Sequence, residues 1–188
     1  MGVEVQRANL SPRALELNMT NEGGVDGTYR LLKNIMGLWL VQQCKRSFEA
    51  AGGKYDFPQL MELAAGAKPL GSLVNLNDSR FLNPADMPTE IQAYCRETKQ
   101  AVPKTDGELI RCCYECLAFK YREVLNSLEE LTGEKIEVIH IVGAVRRTRF
   151  YANWLPMRVN DQCSQGRSRP RPWVICLLRP VRMANSIR

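Results

Sequence analysis

A long helical pattern followed at once by a short β-branched run is the feature that most restricts the fold. Thr105 with Glu108 fits a capping box and predicts the start of the helix, and Gly133 predicts its end. The apolar residues at helical spacing between them are Leu109, Cys112, Cys113, Cys116, Leu117, Val124, Leu128 and Leu131. The run Ile136–Val142 then predicts a buried strand that carries Gly143 to its C-terminal end. Together these elements predict a layered α/β protein with a ligand-facing strand end.

A second long helix is predicted over residues 28–51, and Gly52 with Gly53 would end it. Its apolar stripe consists of Leu31, Leu32, Ile35, Met36, Leu38, Trp39 and Phe48. Shorter helices are predicted from Pro58 to Leu63 and over residues 89–98.

The glycine-rich stretch GGVDG at residues 23–27 precedes the helix predicted from residue 28. It lacks the Lys and the Ser or Thr of a P-loop, and no recognisable strand precedes it as a dinucleotide fingerprint requires. We therefore interpret it as a structural turn before a helix rather than as a phosphate-binding loop.

Charge divides the chain into two unlike parts. Residues 1–143 contain sixteen Lys and Arg against nineteen Asp and Glu, whereas residues 144–188 contain ten Arg and one Asp. Only the last part of the chain is therefore basic. With 188 residues the chain is long enough for one domain. Neither a membrane-spanning run nor a signal peptide is recognisable, and we expect a cytoplasmic protein without membrane contact.

Seven cysteines raise the question of metal or redox chemistry. Cys113 and Cys116 form a C-x-x-C, but a second cysteine pair is missing and His140 is the single histidine. We therefore predict no metal site and interpret the cysteines as residues that pack helices.

Three stretches resemble, in order, segments of the bacterial rhamnulokinases, members of the FGGY-type carbohydrate kinases. They are TNEGGVDGTYRLLKNIMGLWLVQQ from Thr20, NDSRFLNPADMPTEIQAYCRETKQAVP from Asn77, and IHIVG from Ile139. The resemblance runs from about Glu16 to Gly143 and implies part of the second of two actin-like domains, the one that binds ATP.

The resemblance also implies an activity, the Mg²⁺-dependent transfer of a phosphoryl group from ATP to L-rhamnulose, which gives L-rhamnulose 1-phosphate. In the family the catalytic aspartate, the sugar pocket and a phosphate-contacting Ser-Gly-Thr strand precede the point that matches Met1. We therefore expect these 188 residues alone to lack kinase activity.

Three positions carry over from the family as nucleotide contacts. Asn34 and Gln42 match nucleotide-contacting residues, and Gly143 matches the first glycine of a Gly-Gly-Gly turn beside the adenosine. Amide side chains can both donate to and accept from ribose or phosphate oxygens. Eight positions along the predicted helix would separate the two amides by about 12 Å, a span comparable with a nucleotide.

After Gly143 the family pattern gives way to Ala144 and Val145, which cannot form the glycine turn. Codons permitted for Gly166–Leu177, shifted by two bases, encode Pro-Val-Glu-Ala-Thr-Ala-Leu-Gly-Asn-Leu-Leu, which resembles a downstream signature of the same kinases. The same shift over Arg149–Val159 permits a helix-compatible sequence. The sequence therefore predicts a partial nucleotide-binding domain over residues 1–143 and an out-of-frame, irregular tail over 144–188.

The alternative takes the tail as a basic binding module. Arg167, Arg169, Arg171 and Arg179 could contact phosphates while Trp173 stacks on a base, which would give salt-sensitive binding to nucleic acid. The shifted frame already explains the arginines, so we expect only non-specific attraction of polyanions.

Overall fold

The structure, a computed structural model, describes residues 1–136 together with the strands at 138–142, 158–160 and 174–177. In chain order the elements are β1 (Gly2–Val5), α1 (Pro12–Glu16), β2 (Thr20–Gly23), β3 (Tyr29–Leu32), α2 (Trp39–Ala50), α3 (Phe57–Gly66), a 3₁₀ turn (Ser79–Phe81), α4 (Met87–Glu97), α5 (Asp106–Thr132), β4 (Val138–Val142), β5 (Arg158–Asn160) and β6 (Val174–Leu177). Within these described ranges, no helix is both long and apolar enough to cross a membrane.

The chain forms two compact units. The first contains Met1–Asn34, Asn126–Arg149 and Met157–Arg188, and the second contains Ile35–Leu125 and Phe150–Pro156. Helix α5 therefore belongs to the second unit up to Leu125 and to the first unit thereafter.

The first unit contains a six-stranded mixed sheet in the order β2-β3-β1-β6-β4-β5. Strands β2, β3 and β1 pair antiparallel, with Val3 opposite Leu31 in the middle of the ladder. Both residues are essentially inaccessible to solvent. Strand β4 pairs parallel with β5 and β6, so the strand predicted over residues 136–142 is confirmed within the sheet.

The helix predicted over residues 28–51 is wrong in its first half. Residues 29–32 form strand β3, and the helix begins only at Trp39. A strand, β2, also precedes the glycine-rich stretch, which is therefore the turn of a β-hairpin rather than the start of a helix. Asp26 and Gly27 have φ angles of 58° and 76°, the positive pair that type I′ turns require.

Gly24 closes this hairpin turn. Its N–H donates to the Thr28 carbonyl at 2.8 Å, while the Thr28 hydroxyl contacts the carboxylate of Glu4 and the carbonyl of Val25, each at 2.7 Å. A Cβ at Gly24 would lie 2.3 Å from the Thr28 hydroxyl oxygen, whereas a Cβ at Gly23 would meet no atom within 4 Å. The turn is therefore compact on one side only.

An asparagine pair holds the edge strand β2 in the first unit. The Asn9 backbone N–H donates to Asn21 Oδ1 at 2.9 Å, and Asn21 Nδ2 donates back to the Asn9 carbonyl at 3.0 Å. Asn9 Nδ2 also donates to the carbonyl of Leu131, in the last turn of α5, at 3.2 Å. Asn9 therefore contacts a strand residue through its backbone and a helix end through its side chain, at places where backbone groups lack regular partners.

In the second unit, most residues of α5 are buried. The predicted capping box is present, since Glu108 N donates to Thr105 Oγ1 at 3.2 Å and Thr105 N donates to Glu108 Oε2 at 3.1 Å. The buried hydrophobic residues that α5 contributes here are Leu109, Ile110, Cys112, Cys113, Tyr114, Cys116, Leu117, Tyr121, Val124 and Leu125. The predicted end is also confirmed, because α5 stops at Thr132 and Gly133 follows with φ 72°.

Arg111 and Glu115 form a buried ion pair one helical turn apart on α5. Arg111 Nε lies 3.0 Å from Glu115 Oε1, and the two side chains are only 12% and 3% exposed. The guanidinium also donates to the carbonyls of Ala64 and Ala67 at the end of α3, at 3.0 and 2.8 Å. Glu115 accepts the backbone N–H of Leu70 at 3.0 Å. The pair thus forms hydrogen bonds with backbone groups at the end of α3 and in the loop that follows it.

Two short strands fall in the tail that the sequence predicted to be irregular. Val174 of β6 pairs with Val3 and with Ile139, and Arg158 of β5 pairs with Val138. These seven residues therefore differ from the prediction, and the rest of the tail lies outside the described residues.

We predict that Gly24→Ala destabilises the chain while Gly23→Ala does not. The added methyl group would collide with Thr28 at the first position and enter open space at the second. Overpacking of this kind costs roughly 1–3 kcal/mol, whereas a surface change stays within about 0.5 kcal/mol. Urea unfolding of both variants measures the difference, and equal losses would contradict the close contact.

The Arg111–Glu115 pair generates a second stability prediction. Glu115→Ala should lower the free energy of unfolding by roughly 3–5 kcal/mol, because it leaves a buried guanidinium without its carboxylate. Lys45 and Glu49 form a matched pair with the same spacing on α2, but Glu49 is half exposed. Glu49→Ala should cost no more than about 0.5 kcal/mol. Similar losses in the two variants, measured by urea unfolding, would refute the distinction.

Candidate functional site

Asn34 follows the end of β3 and is the last residue of the first unit. The preceding residue, Lys33, exchanges two backbone hydrogen bonds with Met1, each of 2.9 Å, which continue the pairing of β3 with β1. Lys33 Nζ also donates to the Leu17 carbonyl at 2.6 Å. The backbone that carries Asn34 is therefore fixed, while its amide is exposed and has no hydrogen-bond partner among the described residues.

Gln42 lies in the first turn of α2, in the second unit. Its backbone N–H donates to the Leu38 carbonyl at 2.9 Å. Val41 and Gln43 on either side are buried, whereas Gln42 is only half buried. Its side-chain amide makes no hydrogen bond within the described part of the chain, so a ligand could use both its oxygen and its nitrogen.

The helix that was predicted to carry both amides does not exist. Asn34 precedes α2 and belongs to another unit than Gln42, so the spacing of about 12 Å along one helix is wrong. Gly143 lies outside the described residues, although strand β4 ends directly before it at Val142. Each amide is accessible in its own unit.

An open groove of about 800 Å³ lies in the second unit and had no counterpart in the sequence interpretation. Its lining includes Tyr55, Leu63 and the start of α5 at Asp106 and Gly107. The Tyr55 hydroxyl is hydrogen-bonded to the Asp106 carboxylate, which raises the pKa of the tyrosine. The capping box at Thr105 and the helix predicted from Pro58 were the sequence signals near this groove, and neither Asn34 nor Gln42 lines it.

Five cysteines lie in the interior of the second unit. They are Cys44, Cys95, Cys112, Cys113 and Cys116. The thiols of Cys44 and Cys113 lie 4.0 Å apart, and those of Cys112 and Cys116 lie 3.9 Å apart. The hydrogen bond with Cys44, together with burial, raises the pKa of the Cys113 thiol well above its ordinary value. The bond with Cys116, together with burial, does the same for Cys112.

The C-x-x-C does not act as a unit. Cys113 contacts Cys44, while Cys116 contacts Cys112 and accepts the backbone N–H of Val74 at 3.0 Å. Among the residues that the structure describes, no group of three or more His, Cys, Asp or Glu side chains could hold a metal ion. The described cysteines thus serve as small buried residues whose thiols also satisfy backbone groups.

Comparison with known proteins relates this fold and these residues to one family. Residues 1–154 match the description "FGGY family of carbohydrate kinases, C-terminal domain". The chain belongs to the FGGY family. This match confirms the fold class predicted from the sequence, part of an actin-like α/β domain, and it extends beyond Gly143, where the sequence predicted that the family pattern ends.

Three relatives within the FGGY family are rhamnulokinases. The one from Bacteroides thetaiotaomicron is 44% identical over 157 residues, which cover 81% of this chain and 32% of that protein. Those from Pectobacterium carotovorum and Bacillus subtilis are 47% and 45% identical over 150 residues, which cover 80% of this chain and 29% and 30% of the relatives. The chain therefore spans about a third of the length of the relatives it matches.

We predict that the five buried cysteines resist alkylation in the folded chain. Burial limits the access of the reagent to all five thiols, and the raised pKa values of Cys95, Cys112 and Cys113 also keep their reactive thiolates scarce at pH 8. Peptide mapping after iodoacetamide treatment should find them unlabelled until guanidinium is added. Ser79→Cys places a thiol at an exposed position and serves as the reactivity standard. Labelling of Cys44 or Cys113 at the rate of that standard would contradict the packing interpretation.

Proposed function

We propose that the chain is the nucleotide-binding part of a rhamnulokinase, an enzyme that phosphorylates L-rhamnulose at its 1-hydroxyl with ATP. The observation that carries the proposal is the 44–47% identity to rhamnulokinases of three organisms over about four fifths of the chain. A cytoplasmic location fits a reaction that consumes ATP.

Asn34 and Gln42 would contact the nucleotide, each from its own unit. Both amides are neutral and without a partner among the described residues, Asn34 being exposed and Gln42 half-buried, so they fit hydrogen bonds to ribose or phosphate oxygens. Gly143 would contribute backbone beside the adenosine, as its match to the family implies. We further propose that this nucleotide-binding part ends at residue 143 and that the out-of-frame tail follows.

Mg²⁺ would accompany ATP and neutralise its phosphate charge. Among the described residues, no group of three or more His, Cys, Asp or Glu side chains could hold the ion by itself, so the ATP phosphates would be its main ligands there. The alternative, a basic module whose tail recognises nucleic acid, finds no support in the relatives, all of which are sugar kinases by name.

We expect Asn34→Ala and Gln42→Ala each to weaken ATP binding by the chain about five-fold. Such a loss corresponds to roughly 1 kcal/mol, the net contribution of one hydrogen bond. Asn83→Ala and Gln6→Ala remove the same side-chain types from exposed positions and are the matched controls. Isothermal titration calorimetry measures the dissociation constants, and an equal loss in the controls would exclude specific contacts.

A chimera tests the kinase activity itself. Residues 1–142 would replace the corresponding segment of the Bacillus subtilis rhamnulokinase, with which this chain shares 45% identity. We expect the chimera to form ADP in the presence of L-rhamnulose and the 188-residue chain alone to form none. A folded, ATP-binding chimera without L-rhamnulose-dependent turnover would contradict the proposed function.

A further inference from the structure

Helix α2 differs from its neighbours in how its first turn is held. The other helices of the second unit begin with a side-chain cap: Asp56 caps α3, Asp86 caps α4, and Thr105 with Glu108 caps α5. In contrast, the N-cap residue of α2, Leu38, makes no side-chain hydrogen bond to the first turn of the helix. Something other than a cap must therefore fix the start of α2, since an uncapped helix end frays.

Trp39, the first residue of α2, supplies that restraint. Its indole Nε1–H donates to the backbone carbonyl of Phe81 at 2.9 Å, across 42 positions of the chain. Burial of the indole alone would allow several orientations of the ring, whereas a hydrogen bond to a fixed carbonyl selects one. The indole is thus anchored by its polar edge.

The Phe81 carbonyl is itself fixed by its surroundings. Phe81 is completely buried, and its ring lies 5.8 Å from that of Tyr94 on α4. Arg80, the residue before it, lies over the Tyr94 ring at 5.2 Å and forms ion pairs with Asp78 and Glu97. The acceptor of the indole N–H therefore belongs to a segment that contacts α4 through aromatic rings and an ion pair.

Gln42 depends on this restraint through the geometry of the helix. It follows Trp39 by three positions, so the two residues are neighbours on the helix surface. Its own N–H closes the first hydrogen bond of α2, to Leu38. A rotation or fraying of the first turn would therefore displace the Gln42 amide.

We propose that Trp39 is a positioning residue for the nucleotide contact: its hydrogen bond to Phe81 sets the first turn of α2 and so the direction of the Gln42 amide. This inference rests on the proposed function for its link to ATP. The fixing of α2 is independent of that function.

The experiment compares Trp39→Phe with Leu60→Val. Trp39→Phe keeps an aromatic ring but removes the N–H donor. Leu60→Val trims a fully buried side chain of α3 and is the control for a general loss of stability. Hydrogen exchange reports the first turn of α2, thermal unfolding reports global stability, and calorimetry reports ATP affinity. All three measurements use the 188-residue chain.

In Trp39→Phe we expect the backbone N–H groups of Gln42 and Gln43 to exchange at least ten-fold faster, while those of α5 remain unchanged. We also expect ATP to bind at least three-fold more weakly. In Leu60→Val the melting temperature should fall without a selective change at α2 or in ATP affinity. Unchanged exchange at α2, or exchange that rises equally over the unit, would overturn the inference, as would selective exchange with unaltered ATP affinity. If the unmodified chain fails to bind ATP, the proposed function fails, and exchange alone decides whether Trp39 fixes α2.

Discussion

Burial of helix α5 is the constraint on which the second unit depends. Ile110, Leu117 and Val124 recur at intervals of seven residues and are at most 1% exposed. Each such side chain stabilises the folded state by roughly 1.5–3 kcal/mol through loss of water contact. Rotation of the helix would expose this apolar face, and it would also separate the buried Arg111 and Glu115 from their backbone partners. Packing and polar contacts therefore fix the same orientation.

Side chains, more than secondary structure, satisfy the backbone of the connecting segments. Gln100 exchanges two hydrogen bonds of 2.8 Å with the backbone of Leu73, as a neighbouring strand would. Glu115 serves Leu70 in the same way, and Asn9 serves the last turn of α5. The loops are held because single amide and carboxylate side chains form the backbone hydrogen bonds that a neighbouring strand would otherwise form. The indole of Trp39 follows the same principle at the start of α2.

The sequence predicted elements well where local signals agreed. For α5, the capping box, the helical period and Gly133 all indicate the same bounds, and the structure has them. For residues 28–38 the local pattern was ambiguous, because apolar residues in a short run fit either a strand or a helix face. The Asp26-Gly27 pair was a hairpin signal that the interpretation as a helix start did not use. The helix expected to carry both Asn34 and Gln42 was wrong, and the nucleotide contacts matched to the family stay a prediction.

The sequence by itself determined the family, the helix α5 and the strand that follows it, because each rests on neighbouring residues or on direct resemblance. Only the tertiary structure decided that residues 29–32 form a strand. That strand exists because β1 and β2 supply hydrogen-bond partners on both of its edges, and the residues of β1 lie 24 to 30 positions away from their partners in β3. Pairing between distant segments leaves no local period in the sequence. The same holds for Trp39, whose partner Phe81 could be identified only once the chain had folded.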